Sequence, residues 1–129
     1  MSKKDFLATE RWADDEIEEL LRLAARLKRD RGAGGLEKKI LAQVYLDPSL
    51  RTRASFEAAM ALHGGHAITL EPGMGSWALE TDPNAVMNGA AVEHLIEAAR
   101  VLGRYADAVA VRSFAKESDW AVARQDRVL

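Results

Sequence analysis

The chain contains no cysteine, which excludes disulfides and thiolate chemistry. It also lacks an excess of either charge, since 18 Lys and Arg against 20 Asp and Glu give a net charge of −2. Such a balance argues against nucleic acid or an anionic membrane as the main partner. No apolar run approaches the roughly 20 residues that a membrane span needs. The opening "MSKKDFLATERW" has no continuous apolar stretch of signal-peptide type. These absences predict a soluble cytoplasmic protein. Histidine is scarce as well, and His63 and His66 straddle a glycine pair, a poor geometry for a helical metal pair. With no carboxylate set at ligand spacing either, no metal site is expected. Nothing fixes the separation of Glu10 and Glu80, and Asp14 and Asp15 read as surface or capping acids.

What is present is one ordinary domain's worth of chain, 129 residues with a hydrophobic fraction of 48%. Residues 13–31 read as a helix, with Ile17, Leu20, Leu21, Ala24 and Leu27 on one face. Acids crowd its start and bases its end, which complements the helix dipole. The glycine-rich stretch 32–35 ends it. Residues 38–46 read as a mostly buried strand. Residues 53–63 read as a helix with Phe56, Ala59 and Met60 inward, broken by Gly64 and Gly65. A short strand follows at 67–70. Residues 71–88 show no clear period and form a loop long enough to suggest a functional role. Residues 90–105 read as a helix with Val92, Leu95, Ile96, Ala99 and Leu102 on one face. A third strand ends at Arg112, and a last helix begins near Ser118.

Strands alternating with helices predict an α/β fold, a three-layer domain with a central parallel sheet flanked by helices. Ligands in such sheets bind beyond the carboxyl ends of the strands. Both "DPSLRTR" (47–53) and "VRSF" (111–114) lie at such ends. They converge if their strands are neighbours.

The first amides of a helix have no intrahelical partners, and the dipole leaves partial positive charge there. A phosphate satisfies both. Ser49 and Thr52 add hydroxyl donors, Arg51 adds a planar fork, and Arg112 offers a second fork. The competing reading is a capped helix with surface arginines, and composition alone does not exclude it.

The full string "DPSLRTRASFE" resembles the phosphate loop of the aspartate and ornithine carbamoyltransferases, Ser-x-Arg-Thr-Arg followed by Ser-Phe-Glu. "GGHAITLEPG", "GSWALE", "VMNGAAVEHLIEAARVLGRYADAVAVR" and "DWAVARQD" look most like the N-acetylornithine and N-succinylornithine members. The resemblance implies a carbamoyl-phosphate-binding domain over residues 1–129, with no cofactor. It implies that Ser49, Leu50, Arg51 and Thr52 hold the phosphate. Arg51, Thr52 and Arg112 would be the catalytic groups, acting on the carbamoyl oxygen and the leaving phosphate. Preorganised donors aimed at developing charge are the usual main source of catalysis.

The resemblance further implies that Trp77 enters a neighbouring subunit's site in a homotrimer. The alternative is a core aromatic under a long loop, although "GMGSW" suits a loop tip better. At position 92 acetylornithine-type relatives tend to carry an acid, whereas this chain has Val92, which tilts the acceptor toward a succinyl-type substrate. Val92 can equally pack with Leu95 and Ile96. The family also uses a second domain and a His-Pro-x-Gln segment that this sequence does not contain, so an isolated fragment without turnover is expected. N-acylornithine would then bind only with the second domain. A non-catalytic anion-binding or assembly module is the other function class. Smaller departures are Asn88, where an aspartate is usual, and Gln43 inside an apolar strand, which is costly if buried without a partner.

Overall fold

A run of β-branched and apolar residues forms the central strand of the fold, and everything that shapes the candidate site hangs from it. The computed structural model describes residues 5–82, 84–89 and 91–114. The helix expected near Ser118 lies outside the described residues. In chain order the elements are α1 (Asp14–Arg29), β1 (Ile40–Tyr45), α2 (Arg51–Leu62), β2 (His66–Leu70), β3 (Leu79–Glu80), β4 (Glu93–His94), α3 (Leu95–Tyr105) and β5 (Ala108–Arg112). A short 3₁₀ turn, Thr9–Arg11, precedes α1.

The main sheet has the order β2-β1-β5, and all its pairings are parallel. In β1, Leu41, Ala42, Gln43, Val44 and Tyr45 are all buried, as expected for a central parallel strand covered on both faces. From β1 the chain moves outward to β2, then crosses back to β5 on the other side of β1. Right-handed crossovers in opposite directions put α2 and α3 on opposite faces of the sheet. The expected α/β architecture, a parallel sheet flanked by helices, is therefore the observed one. Among the described residues no helix is long and apolar enough to cross a membrane.

Two expected helices shift. α2 begins at Arg51 rather than Arg53, so the whole Arg51-Thr52-Arg53 string forms its first turn. Its inward face is Met60 together with Arg53 and Glu57, while Phe56 is 40% exposed. Polar contacts to β2 fix the rotation of this helix, not the apolar stripe expected from Phe56. α2 ends as expected: Gly64 takes the left-handed conformation at φ 83°, and the Gly65 amide donates to the Met60 carbonyl at 2.8 Å.

α3 starts at Leu95 rather than residue 90, because Glu93 and His94 pair in parallel with Leu79 and Glu80. The His94 ring caps it, with Nδ1 accepting from the Ile96 amide at 3.1 Å and Nε2 lying 2.8 Å from the Asp82 carbonyl. Neutral His94 with its proton on Nε2 satisfies both contacts at once. Val92 therefore lies outside the helix and is 64% exposed, so it does not pack on the Leu95 face. α1 keeps its charge polarity, but it buries no residue fully, and Leu21 on its apolar stripe is 64% exposed.

Candidate anion-binding site

β1 and β5 are adjacent, and their last paired residues are Tyr45 and Arg112. Beyond them the Leu46 amide donates to the Arg112 carbonyl at 2.9 Å. The Phe114 amide donates to Asp47 Oδ2 at 2.6 Å. The two strand ends are thus stitched together, and the loop from β1 into α2 sits over the place where the strand order reverses. This is the crevice where open α/β sheets bind ligands.

α2 enters that crevice uncapped. Leu50 already has helical angles, φ −85° and ψ −58°, and among the described residues no side-chain cap bonds the first turn. The cap that the competing reading requires is thus missing, while its exposed arginine, Arg51, is present. The leading amides and the positive end of the helix dipole remain available to an anion. Arg51 stands exposed at the first helical position. Thr52 turns toward β5, where its hydroxyl accepts from Arg112 Nη1 at 3.2 Å. Ser49 is half-buried and Leu50 is 84% exposed at the rim of the turn.

Arg112 lies over Phe114, with its guanidinium carbon 4.4 Å from the ring centroid. Its Nε is buried and has no hydrogen-bond partner among the described residues. A buried donor without an acceptor is unfavourable by about 1–3 kcal/mol, and it marks Arg112 as a group with bonding capacity unspent. Thr52 and Arg112 meet although 60 residues separate them, and Arg51 stands exposed one residue before Thr52.

On the other side of the turn a different set of contacts forms. Arg53 donates to Glu57 Oε1 and to Glu71 Oε2, both at 3.1 Å. The Thr69 hydroxyl donates to Glu57 Oε1 at 2.6 Å. Gln43 Nε2 donates to the Thr69 hydroxyl at 3.3 Å, and the Tyr45 hydroxyl donates to Gln43 Oε1 at 2.6 Å. Gln43 is thus buried with both ends of its amide partnered. The Thr69 hydroxyl, then Arg53, holds the Glu57 carboxyl below the ordinary carboxylate range. Burial, then the Glu57 charge, raises the Tyr45 phenol. Hydrogen bonding to Glu57 and the charge of Glu71 keep Arg53 firmly protonated.

A shallow cleft of about 450 Å³ opens here, lined by Pro48, Ser49, Leu50, Arg53, Ala54, Glu57 and Glu71. Its arginine is already matched by two carboxylates. Charge favours the Arg51-Thr52-Arg112 side for an anion, and the cleft is its flank. The sequence showed the arginines. It did not show which would be spent on protein carboxylates, because Glu71 reaches Arg53, and Thr69 reaches Glu57, only once β2 lies beside α2.

The long loop carries Trp77 at its surface, 64% exposed, with Nε1 donating to Glu93 Oε2 at 3.1 Å. A core position for this ring is excluded. The hydrogen bond ties the Trp77 segment to the strand that follows Val92.

Residues 4–128 match the family described as aspartate/ornithine carbamoyltransferase, carbamoyl-P binding domain. N-acetylornithine carbamoyltransferase of Xanthomonas campestris pv. campestris is 46% identical over 129 residues, which is 100% of this chain and 38% of that relative. N-succinylornithine carbamoyltransferase of Bacteroides thetaiotaomicron is 38% identical over 91 residues, 70% of this chain and 29% of the relative. Among solved structures, a glutamate-to-valine variant of N-acetyl-L-ornithine transcarbamylase, complexed with carbamyl phosphate and N-succinyl-L-norvaline, superposes with a TM-score of 0.88. It is 46% identical, and the match covers 98% of this chain and 38% of that one. The chain thus spans well under half the length of these relatives. By its sequence from residue 4 to residue 128 and by its parallel sheet, this chain belongs to the aspartate/ornithine carbamoyltransferase family and corresponds to the family's carbamoyl-phosphate-binding domain.

Proposed function

We propose that the chain binds carbamoyl phosphate at the N-terminus of α2, as the carbamoyl-phosphate half of an N-acylornithine carbamoyltransferase. The observation that carries this reading is the uncapped first turn of α2, with exposed Arg51 at its start and Thr52 bonded to Arg112 of the neighbouring strand. The amides after Leu50 and the Ser49 hydroxyl take the phosphate oxygens. Arg51 neutralises the phosphate. Thr52 and Arg112 reach the carbamoyl oxygen, where negative charge develops as an amine attacks the carbon. The phosphate then departs with its charge matched by the arginines. Domain 1–129 supplies the anion half of this reaction, while holding the amine at attack distance falls to groups beyond it. A polypeptide of these 129 residues therefore binds the anion without carbamoylating an N-acylornithine.

Val92 favours a succinyl-type acceptor, because a neutral side chain removes repulsion against an anionic acyl group. The exchange of glutamate for valine in the solved variant with N-succinyl-L-norvaline supports this choice. Trp77, exposed on its loop, completes the site of a neighbouring copy in a cytoplasmic homotrimer. Sedimentation that shows only monomer at high concentration would count against that assembly.

Calorimetric titration with carbamoyl phosphate and with inorganic phosphate tests the central claim. Arg51→Ala is expected to weaken binding by about 1.5–3 kcal/mol, the range for a hydrogen bond to a charged group. Equal affinities for variant and parent, or no binding by the parent, would sink the reading.

A further inference from the structure

The first turn of α2 carries two arginines, and the structure gives them opposite surroundings. Residues 51 and 53 differ by about 200° around a helix, so the two guanidinium groups leave α2 on opposite sides. Arg53 points toward β2 and is bonded to Glu57 and Glu71. Glu57 in turn is bonded to Thr69, and Thr69 to the buried Gln43 of β1. About 100° around the helix from Arg53, Thr52 is bonded to Arg112 of β5. The turn is therefore fastened to both neighbours of β1, and the fastening on the β2 side runs through ionic and polar contacts.

We propose that Arg53 is a positioning residue and not a phosphate ligand. Latched by Glu57 and Glu71, it fixes the rotation of α2 so that Thr52 meets Arg112 and the leading amides and Arg51 stay open to the anion. This rests on the anion site proposed above. Two features carry it. The helix has no side-chain cap to set its first turn, so its direction must be set elsewhere. And Phe56 is 40% exposed, while the buried Met60 lies two turns further along α2, so apolar packing does not set the first turn either. The carboxylates beside an anion site then have a purpose. They oppose the anion electrostatically, yet they hold the turn that receives it.

The proposal makes a prediction opposite in sign to simple charge counting. Glu57→Gln with Glu71→Gln removes two negative charges near the site and frees Arg53. If Arg53 were a ligand, phosphate would bind more tightly. As a positioning residue its release weakens binding by about tenfold, the scale on which supporting hydrogen bonds act at charged centres. Inorganic phosphate is titrated at about 0.5 M salt, where a screening length of a few ångström suppresses the long-range charge effect. Thr69→Val is the second variant. It changes no charge and cuts the link between Glu57 and Gln43, and a loss of about threefold or more is expected. Unchanged or tighter binding by either variant, with folding verified by its melting curve, overturns the proposal. Parent protein and Arg51→Ala run alongside. If the parent binds and Arg51→Ala does not, the anion site stands whatever Arg53 does. If the parent does not bind, the site itself falls.

Discussion

Replacing Gln43 by leucine isolates the buried polar chain beneath the turn. Gln43 is 1% exposed and Tyr45 is 5% exposed. The substitution removes the acceptor that the Tyr45 hydroxyl meets at 2.6 Å. A buried donor left without a partner costs about 1–3 kcal/mol. The hydrogen bond from Gln43 to Thr69 also disappears. It is long at 3.3 Å, and Thr69 keeps Glu57 as its acceptor, so it adds at most about 0.5–1 kcal/mol. Leucine's larger apolar surface offsets about 1 kcal/mol. The expected net loss is about 1–3 kcal/mol. With a urea slope of about 1–3 kcal/mol per molar, the unfolding midpoint falls by roughly 1 M. Adding Tyr45→Phe removes the stranded hydroxyl, and the double variant returns to within about 1 kcal/mol of the parent. The cycle therefore yields a coupling of about 1 kcal/mol or more. A double variant that loses the sum of the two single losses would refute the account, as would a Gln43→Leu protein as stable as the parent.

Glu57 makes stability depend on pH. Its folded carboxyl lies below the ordinary value of 4.5, held there by Thr69 and then Arg53. A depressed folded value contributes stability that is fully present above the unfolded value and lost as pH falls through the folded one. The stability gap between parent and Glu57→Gln should therefore narrow on acidification below about pH 4.5, and urea midpoints from neutral to acidic pH check this. A gap that widens there contradicts it. Gly65→Ala should destabilise by about 1–3 kcal/mol, because a Cβ there would lie 3.0 Å from the Leu36 carbonyl and 3.1 Å from that of Lys39. Gly75→Ala, whose Cβ meets nothing within 4 Å, should leave the melting temperature nearly unchanged.

Much of this architecture is legible in the residue pattern. The strands β1, β2 and β5 announce themselves as apolar runs, and the glycine pair at 64–65 ends α2 where expected. The candidate turn is legible too, because its arginines and hydroxyls stand at a strand's end. What misleads is local preference overruled by distant partners. Phe56 looks like a core residue on a helical wheel, but Arg53 and Glu57 take the inward face because Thr69 and Glu71 wait there. Val92 fits the helical period of the residues after it. A histidine cap at His94 and the pairing of Glu93 with Leu79 hold that stretch extended instead. Gln43 raises the right question, and its answer lies in two residues, Tyr45 and Thr69, that look ordinary in sequence.

The parallel order of the sheet has a kinetic consequence. β1 is the first strand in the chain, yet its pairing with β5 joins residues such as Leu41 and Ala108 across most of the described span. Contacts so remote in sequence form late, because closing the intervening chain must precede any reward. A β1–β2 unit with α2 laid upon it can form earlier, from nearer neighbours. Such a species already has the uncapped turn and the Arg53 latch, but not Arg112. Phosphate would then recognise the finished sheet and not its precursor. In stopped-flow experiments the anion should slow unfolding while leaving the refolding rate almost untouched. A refolding rate that climbs with phosphate would mean that β5 docks before the barrier and not after it.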